Sequence, residues 1–253
     1  MPSASEWQVA NLRVSAFPKP VLSELPTGHW RSVVGRDPEK REDRPSQFKM
    51  MEEGPWNGGS LVLSAALDRF DWSLQASEQT TGEEPPLSIG AFDPLSDELN
   101  RLIAGWFASC SNCSRLAFAG SLLLPVTSVL GGYKVLSELL KTVRIDAEGS
   151  SELMYQINRP RPSKLGIEGL RINRISRWSV IRVQRVTTSF ALMGGEPGPQ
   201  TFQELDPLFF CKLDFDVNTS PHFSEGLPRD RLPELMTELL CLAKEICTNG
   251  DIP

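Results

Sequence analysis

At 253 residues, with 40% hydrophobic and 23% charged side chains, the chain has an ordinary globular composition and enough length for one large core or two smaller ones. Its formal charge of -6 argues against a general nucleic-acid binder, whose affinity comes from neutralised phosphates, but leaves room for a local basic patch. No apolar run approaches the ~20 residues of a bilayer-spanning helix. The start, MPSASEWQVANLRV, lacks the basic and apolar regions of a signal peptide, so a cytoplasmic protein without membrane contact is expected.

In chain order, Trp7 to Phe17 alternates and predicts a first strand stopped by Pro18 and Pro20. Residues 18–59 are rich in Pro, Gly and charge and predict a long connection without a strong element, tacked down by Trp30 and Trp56. Ser60 to Ala66 and Arg69 to Ala76 predict a hairpin, with Phe70, Trp72 and Leu74 on one side and Asp71 and Ser73 on the other. An acidic loop at 77–86 leads to a helix beginning at Asp93-Pro94, with Leu95, Leu99, Leu102, Ile103, Trp106 and Phe107 on one face.

The apolar run Leu116 to Leu124 predicts a strand buried on both sides, ended by Pro125. Thr127 or Ser128 caps a second helix reaching about Val143, and Met154 to Asn158 predicts a strand ending at RPRPS. Two stretches then dominate. Residues 168–187 set β-branched side chains between Arg171, Arg174, Arg177, Arg182 and Arg185. Residues 208–219 alternate cleanly, with Phe209, Cys211, Leu213, Phe215 and Val217 against Lys212, Asp214, Asp216 and Asn218. A turn-rich tip at 193–200 separates them. Arg231 to Cys247 predicts a last amphipathic helix stopped by Asn249-Gly250.

This order predicts an α+β fold: a mostly antiparallel sheet of about seven to nine strands with about three helices on one face. A single domain 1–253 is expected, with two halves, 1–125 and 126–253, sharing one sheet as the variant reading. Polar side chains should then collect on the other face. Arg171, Asn173, Arg174, Arg177, Trp178, Arg182, Arg185, Asp214, Asp216 and Asn218 are the candidate contact residues, the outward arginines depending on strand register. Arginines on a rigid sheet can grip carboxylates or phosphates, or dock an acidic partner. The plainer reading is a solvated face on which opposite charges pair.

The catalytic alternatives are thin. Asp214 and Asp216 could hold a divalent metal, and a nuclease or phosphohydrolase built on them would take Asp71 as a further acid and Lys212 as the nearby lysine. Only His29 and His222 are available for histidine chemistry, no phosphate-binding loop occurs, and Ser60 is not a nucleophile elbow. Cys110-Ser-Asn-Cys113 lacks a second close cysteine pair for zinc, and five cysteines suggest no disulfide framework. Trp178, among arginines, could stack on a base in a nucleic-acid or nucleotide module. The expectation is a protein without catalytic residues, cofactor or metal, engaging another protein or a second copy of itself.

Short motifs run through most of the chain: LRVSAF (12–17), a tryptophan followed by GRDPE (35–39), SLVLSAALDRFDW (60–72), INRPRPS (157–163), LRINRISRW (170–178), and LDFDVNT (213–219) before a last helix ending CTNGD. Together they resemble a widespread family of bacterial proteins of about this length with no established activity. Its uneven distribution among bacteria implies a defence or mobile-element context. The resemblance implies no catalytic residues.

Overall fold

The computed structural model describes residues 2–25, 27–76, 87–110, 112–193 and 196–252, with side chains at 187–202 left out of the description. The acidic loop expected at 77–86 lies outside these residues. In chain order the elements are β1 (Gln8–Pro18), α1 (His29–Val34), β2 (Lys40–Arg44), β3 (Lys49–Trp56), β4 (Gly59–Ala66), β5 (Arg69–Ala76), α2 (Phe92–Phe107) and β6 (Cys113–Val126). There follow α3 (Val129–Leu139), β7 (Met154–Asn158), β8 (Arg161–Pro162), β9 (Arg171–Met193), β10 (Glu196–Thr219) and α4 (Leu232–Asn249).

The described strands form one antiparallel sheet in the order β2-β3-β4-β5-β1-β6-β10-β9-β7, with β8 beside β9. This is an α+β fold. Period-two alternation decides which side chains meet the helices. On β1 these are Val9, Leu12, Val14 and Ala16; on β5, Phe70, Trp72 and Leu74; on β10, Cys211, Leu213, Phe215 and Val217. All are buried against the helical layer, where α2, α3 and α4 bring leucine-rich stripes onto the sheet.

Aromatic rings join the two layers. Phe92 of α2 packs on Phe118 of β6 (6.4 Å between centroids) and Phe215 of β10 (5.7 Å), and these two rings meet at 5.2 Å. Trp7 meets the edge of Trp178 at 6.0 Å, and its indole N–H donates to the Cys247 carbonyl at 3.1 Å, tying the start of β1 to the end of α4. Two glycines are set by close approach. A Cβ on Gly120 would come 2.8 Å from the Asn11 carbonyl oxygen and 2.9 Å from the Phe215 ring. One on Gly132 would come 2.8 Å from Val180, so α3 rests its backbone on β9.

Three expectations are corrected. Residues 18–59 are not a plain connection: they hold α1, which buries Trp30, and the β2–β3 hairpin that widens the sheet. The inward positions of β3 are Met50, Glu52 and Gly54, so its alternation carries almost no hydrophobic signal. Residues 193–200 are not a broad tip, because pairing runs out to Met193↔Glu196. The second helix stops at Leu139, short of Val143.

β9 and β10 outrun the sheet. β7 pairs with β9 only over 175–179, and β6 with β10 only over 209–218, whereas β9 and β10 pair with each other from Ile172↔Thr219 to Met193↔Glu196. What remains is a two-stranded ribbon of about a dozen residues per strand, roughly 40 Å long at ~3.3 Å per residue.

Because Phe118 bridges the helical layer and two adjacent strands, Phe118→Ala should lower unfolding free energy by about 3–5 kcal/mol in urea titration. A loss below about 1 kcal/mol would show that the ring trio is not a keystone of the core.

Candidate functional site

The face of the sheet turned away from the helices carries side chains in cross-strand rows. One row runs Gln156, Arg177, Asp214, Ser121 and Asn11 across β7, β9, β10, β6 and β1. The next includes Asp216, Ala119, Arg13 and Ser73; a third includes Asn173, Asn218, Ala117, Ser15 and Asp71. Short side chains on β6 leave the β10 carboxylates lying between longer polar groups on either side.

The polar groups are mostly matched within the sheet. Arg177 donates to the Gln156 amide oxygen at 2.8 Å; Asp214 accepts from Ser121 and lies 3.1 Å from the Lys212 ammonium. Asn158 donates to Asn173 (3.0 Å), Asn173 to Asn218 (3.1 Å), and Asn218 to Asp216 (2.8 Å), a relay of amides that ends on a carboxylate. Further along, Asp71 accepts from Ser15 and lies 2.7 Å from Arg69 and 4.0 Å from Arg13. Arg69 and Arg115 flank the Phe17 ring at 5.4 and 5.2 Å. A hollow of about 480 Å3 at the β2–β5 end is lined by Glu42, Arg44, Lys49, Met51, Arg69 and Asp71 among others.

The ten residues expected to contact a partner divide. Arg171 and Arg177 are exposed on the open face, and Asn173, Asp214 and Asp216 are half-buried there. The two arginines are six residues apart, so roughly 20 Å of strand separates them and they form no close clamp. Asn218 also points to this face but is fully covered by its neighbours. Arg182 and Arg185 lie on the ribbon, donating to the Gln184 amide at 3.0 Å and the Asp206 carbonyl at 3.2 Å.

Arg174 and Trp178 belong to the opposite face. Trp178 is fully buried, donates to Ser176 at 3.0 Å and is no exposed stacking platform. The Arg174 side chain is 1% exposed, 3.8 Å from Glu245, and donates to the Ile252 carbonyl at 3.3 Å. Burial pulls its pKa down, helped by neighbouring Arg161. Beside it Arg159 grips Asp251 through two bonds of 2.8 and 2.9 Å, with Tyr155 and Thr142 donating to the same carboxylate. The Arg159 bonds, ahead of the other donors, hold the Asp251 carboxyl down at about 2.

The residues missed by sequence reading are Arg13, Arg69 and Arg115. Their signal was present in the alternation of LRVSAF and its neighbours, but the strand order that brings them together was not.

Chemically, the face offers charged and amide groups for hydrogen bonding and no assembled reactive set. Among the described residues no three His, Cys, Asp or Glu side chains gather as metal ligands. Cys110 and Cys113 are buried, and burial pushes Cys113 up to about 11 and Cys110 further in the same direction, opposite to an activated thiol. No described helix is long and apolar enough to cross a membrane. Comparison with protein-family models, curated proteins and solved structures finds no match.

A carboxylate held down in the fold stabilises it above the unfolded value of about 4 and loses that contribution as pH falls towards 2. The unfolding midpoint in urea should therefore drop between those pH values, and Asp251→Asn should flatten that limb by roughly one proton's worth. An unaltered slope in the variant would mean that the Arg159–Asp251 grip does not form.

Proposed function

We propose that the protein is a non-catalytic binding or assembly subunit that engages a protein partner through the polar face of its sheet. The observation that carries this reading is the lopsided coverage: the described helices lie on one side, leaving a broad hydrogen-bonding surface on the other. Rigid sheets position polar groups without the ordering cost of loops, and charged side chains set register and association rate in a protein complex. Exposed Arg171 and Arg177 sit beside half-buried Asp214, Asp216 and Asn173, which suits a partner presenting acidic and amide side chains.

The alternative of a metal-dependent nuclease built on Asp214 and Asp216 draws less support. Asp214 is already matched by Lys212 and Ser121, and Asp216 by Asn218. A nucleic-acid module draws less as well, since Trp178 is buried and the cations on the face alternate with acids. A bacterial defence or mobile-element setting remains part of the proposal and rests on the motif resemblance.

Charge reversal at the two exposed arginines, Arg171→Glu with Arg177→Glu, should leave the circular dichroism spectrum and unfolding midpoint near those of the parent. Affinity capture from the native cell followed by mass spectrometry should recover a specific protein with the parent chain and at least tenfold less of it with the variant. Equal recovery by both would contradict the assignment of this face.

A further inference from the structure

An exposed strand edge offers a row of unpaired N–H and C=O groups, and folded proteins blunt such edges with charge, proline or brevity. Three of the four edges among the described strands follow that rule. β2 is five residues long, all of them charged and exposed (Lys40, Arg41, Glu42, Asp43, Arg44). On the opposite side, β7 has five residues and β8 two, with Pro160 and Pro162 interrupting them. The free edge of β10 in the ribbon carries Pro197, Pro199 and Pro207 together with Glu196, Glu204 and Asp206.

The fourth edge does not. From Val180, where β7 has ended, to Met193, β9 has no proline, no glycine and no acid, and it is rich in β-branched residues. A two-stranded ribbon is marginal in water by itself, so this stretch calls for a third strand. One exposed apolar side chain, Val186, lies on this stretch itself, and exposed Val129 and Leu130 begin α3, whose Gly132 rests against Val180 where the ribbon leaves the sheet.

We infer that the free edge of β9 is the dimer interface of this protein, pairing antiparallel with the same edge of a second copy about a two-fold axis. The edge distribution selects this occupant. Joining two β9 edges gives a four-stranded arm, β10-β9-β9-β10, whose outer edges are both the proline-bearing β10, so the assembly closes at two. Pairing β9 to β10 of another copy would instead bring an intact edge against a proline-broken one and would propagate without end. Opposed residues of an antiparallel pair share a face, so the two-fold needs positions of like parity. Overlapping residues 181–193 about Thr187 sets Arg185 across from Ser189 of the second copy and Arg182 across from Leu192, so no arginine faces another. Antiparallel pairing within one sheet also keeps both polar faces on the same side, doubling the surface assigned to a partner.

The full-length chain should sediment as a dimer, twice 28.1 kDa, at micromolar concentration in analytical ultracentrifugation. Successive amides of a strand point alternately to its two sides, so of the adjacent variants Val186→Pro and Thr187→Pro one removes only an outward donor. That variant should raise the dimer Kd at least tenfold with the unfolding midpoint retained, and Val186→Lys with Thr188→Lys should do the same. Arg177→Ala should remain dimeric. A monomeric parent chain, including one that pairs this edge only with a strand of another protein, overturns the inference. So does a dimer unaffected by both the proline pair and the lysine variant.

Discussion

The structure depends on strict alternation along strands that share one wide sheet. Each central strand presents most of its large apolar side chains to one layer, so a single hydrophobic surface spans β3 to β9 and draws α2, α3 and α4 onto it, while the other face keeps only scattered apolar groups such as Leu123 and Val62. A one-residue slip in β10 would send Asp214 and Asp216 into the core and Leu213 and Phe215 into solvent. Such a slip is opposed on both flanks. Phe215 is locked between Phe92 and Phe118, and Asp214 is held between Ser121 and Lys212. The same alternation that builds the core therefore produces the polar face.

Ionic chemistry is divided between the two sides of that sheet. On the helical side Arg159, Arg161 and Arg174 meet Asp251 and Glu245, fastening the end of α4 and the residues after it to the β7–β9 edge. These are part-buried, geometrically fixed contacts, and they act as a clasp on the fold. On the open side the pairs are more exposed and each is worth little to stability, a fraction of a kcal/mol. Weak pairs on a rigid floor can exchange partners when a complementary surface arrives, which is why the open side carries the functional proposal and the helical side does not.

Much of this was legible in the residues. LFFCKLDFDVNT declares its two faces because every second residue changes class, and Ser128 and Gly250 mark helix ends by local chemistry, whereas α2 starts at Phe92 after Ala91, so the expected Asp93 cap lies inside its first turn. β3 was not legible, since buried Glu52 and Gly54 sit where a strand normally shows hydrophobic residues. The contact set was only half legible for a related reason. Arg174 occupies an inward position that composition alone assigns outward, and only the clasp around Glu245 explains a buried guanidinium there. The unguarded edge of β9 could not be read at all without knowing where β6 and β7 stop.

The central claim, that the polar side of the sheet is the working surface, is tested most directly by arginine-selective footprinting with phenylglyoxal on the free protein and on its captured complex. The account predicts that Arg171 and Arg177 react readily in the free protein and become protected in the complex, while Arg174 stays inert in both. Arg171 and Arg177 reacting equally with and without partner, with protection confined to residues of α2 or α4, would contradict it.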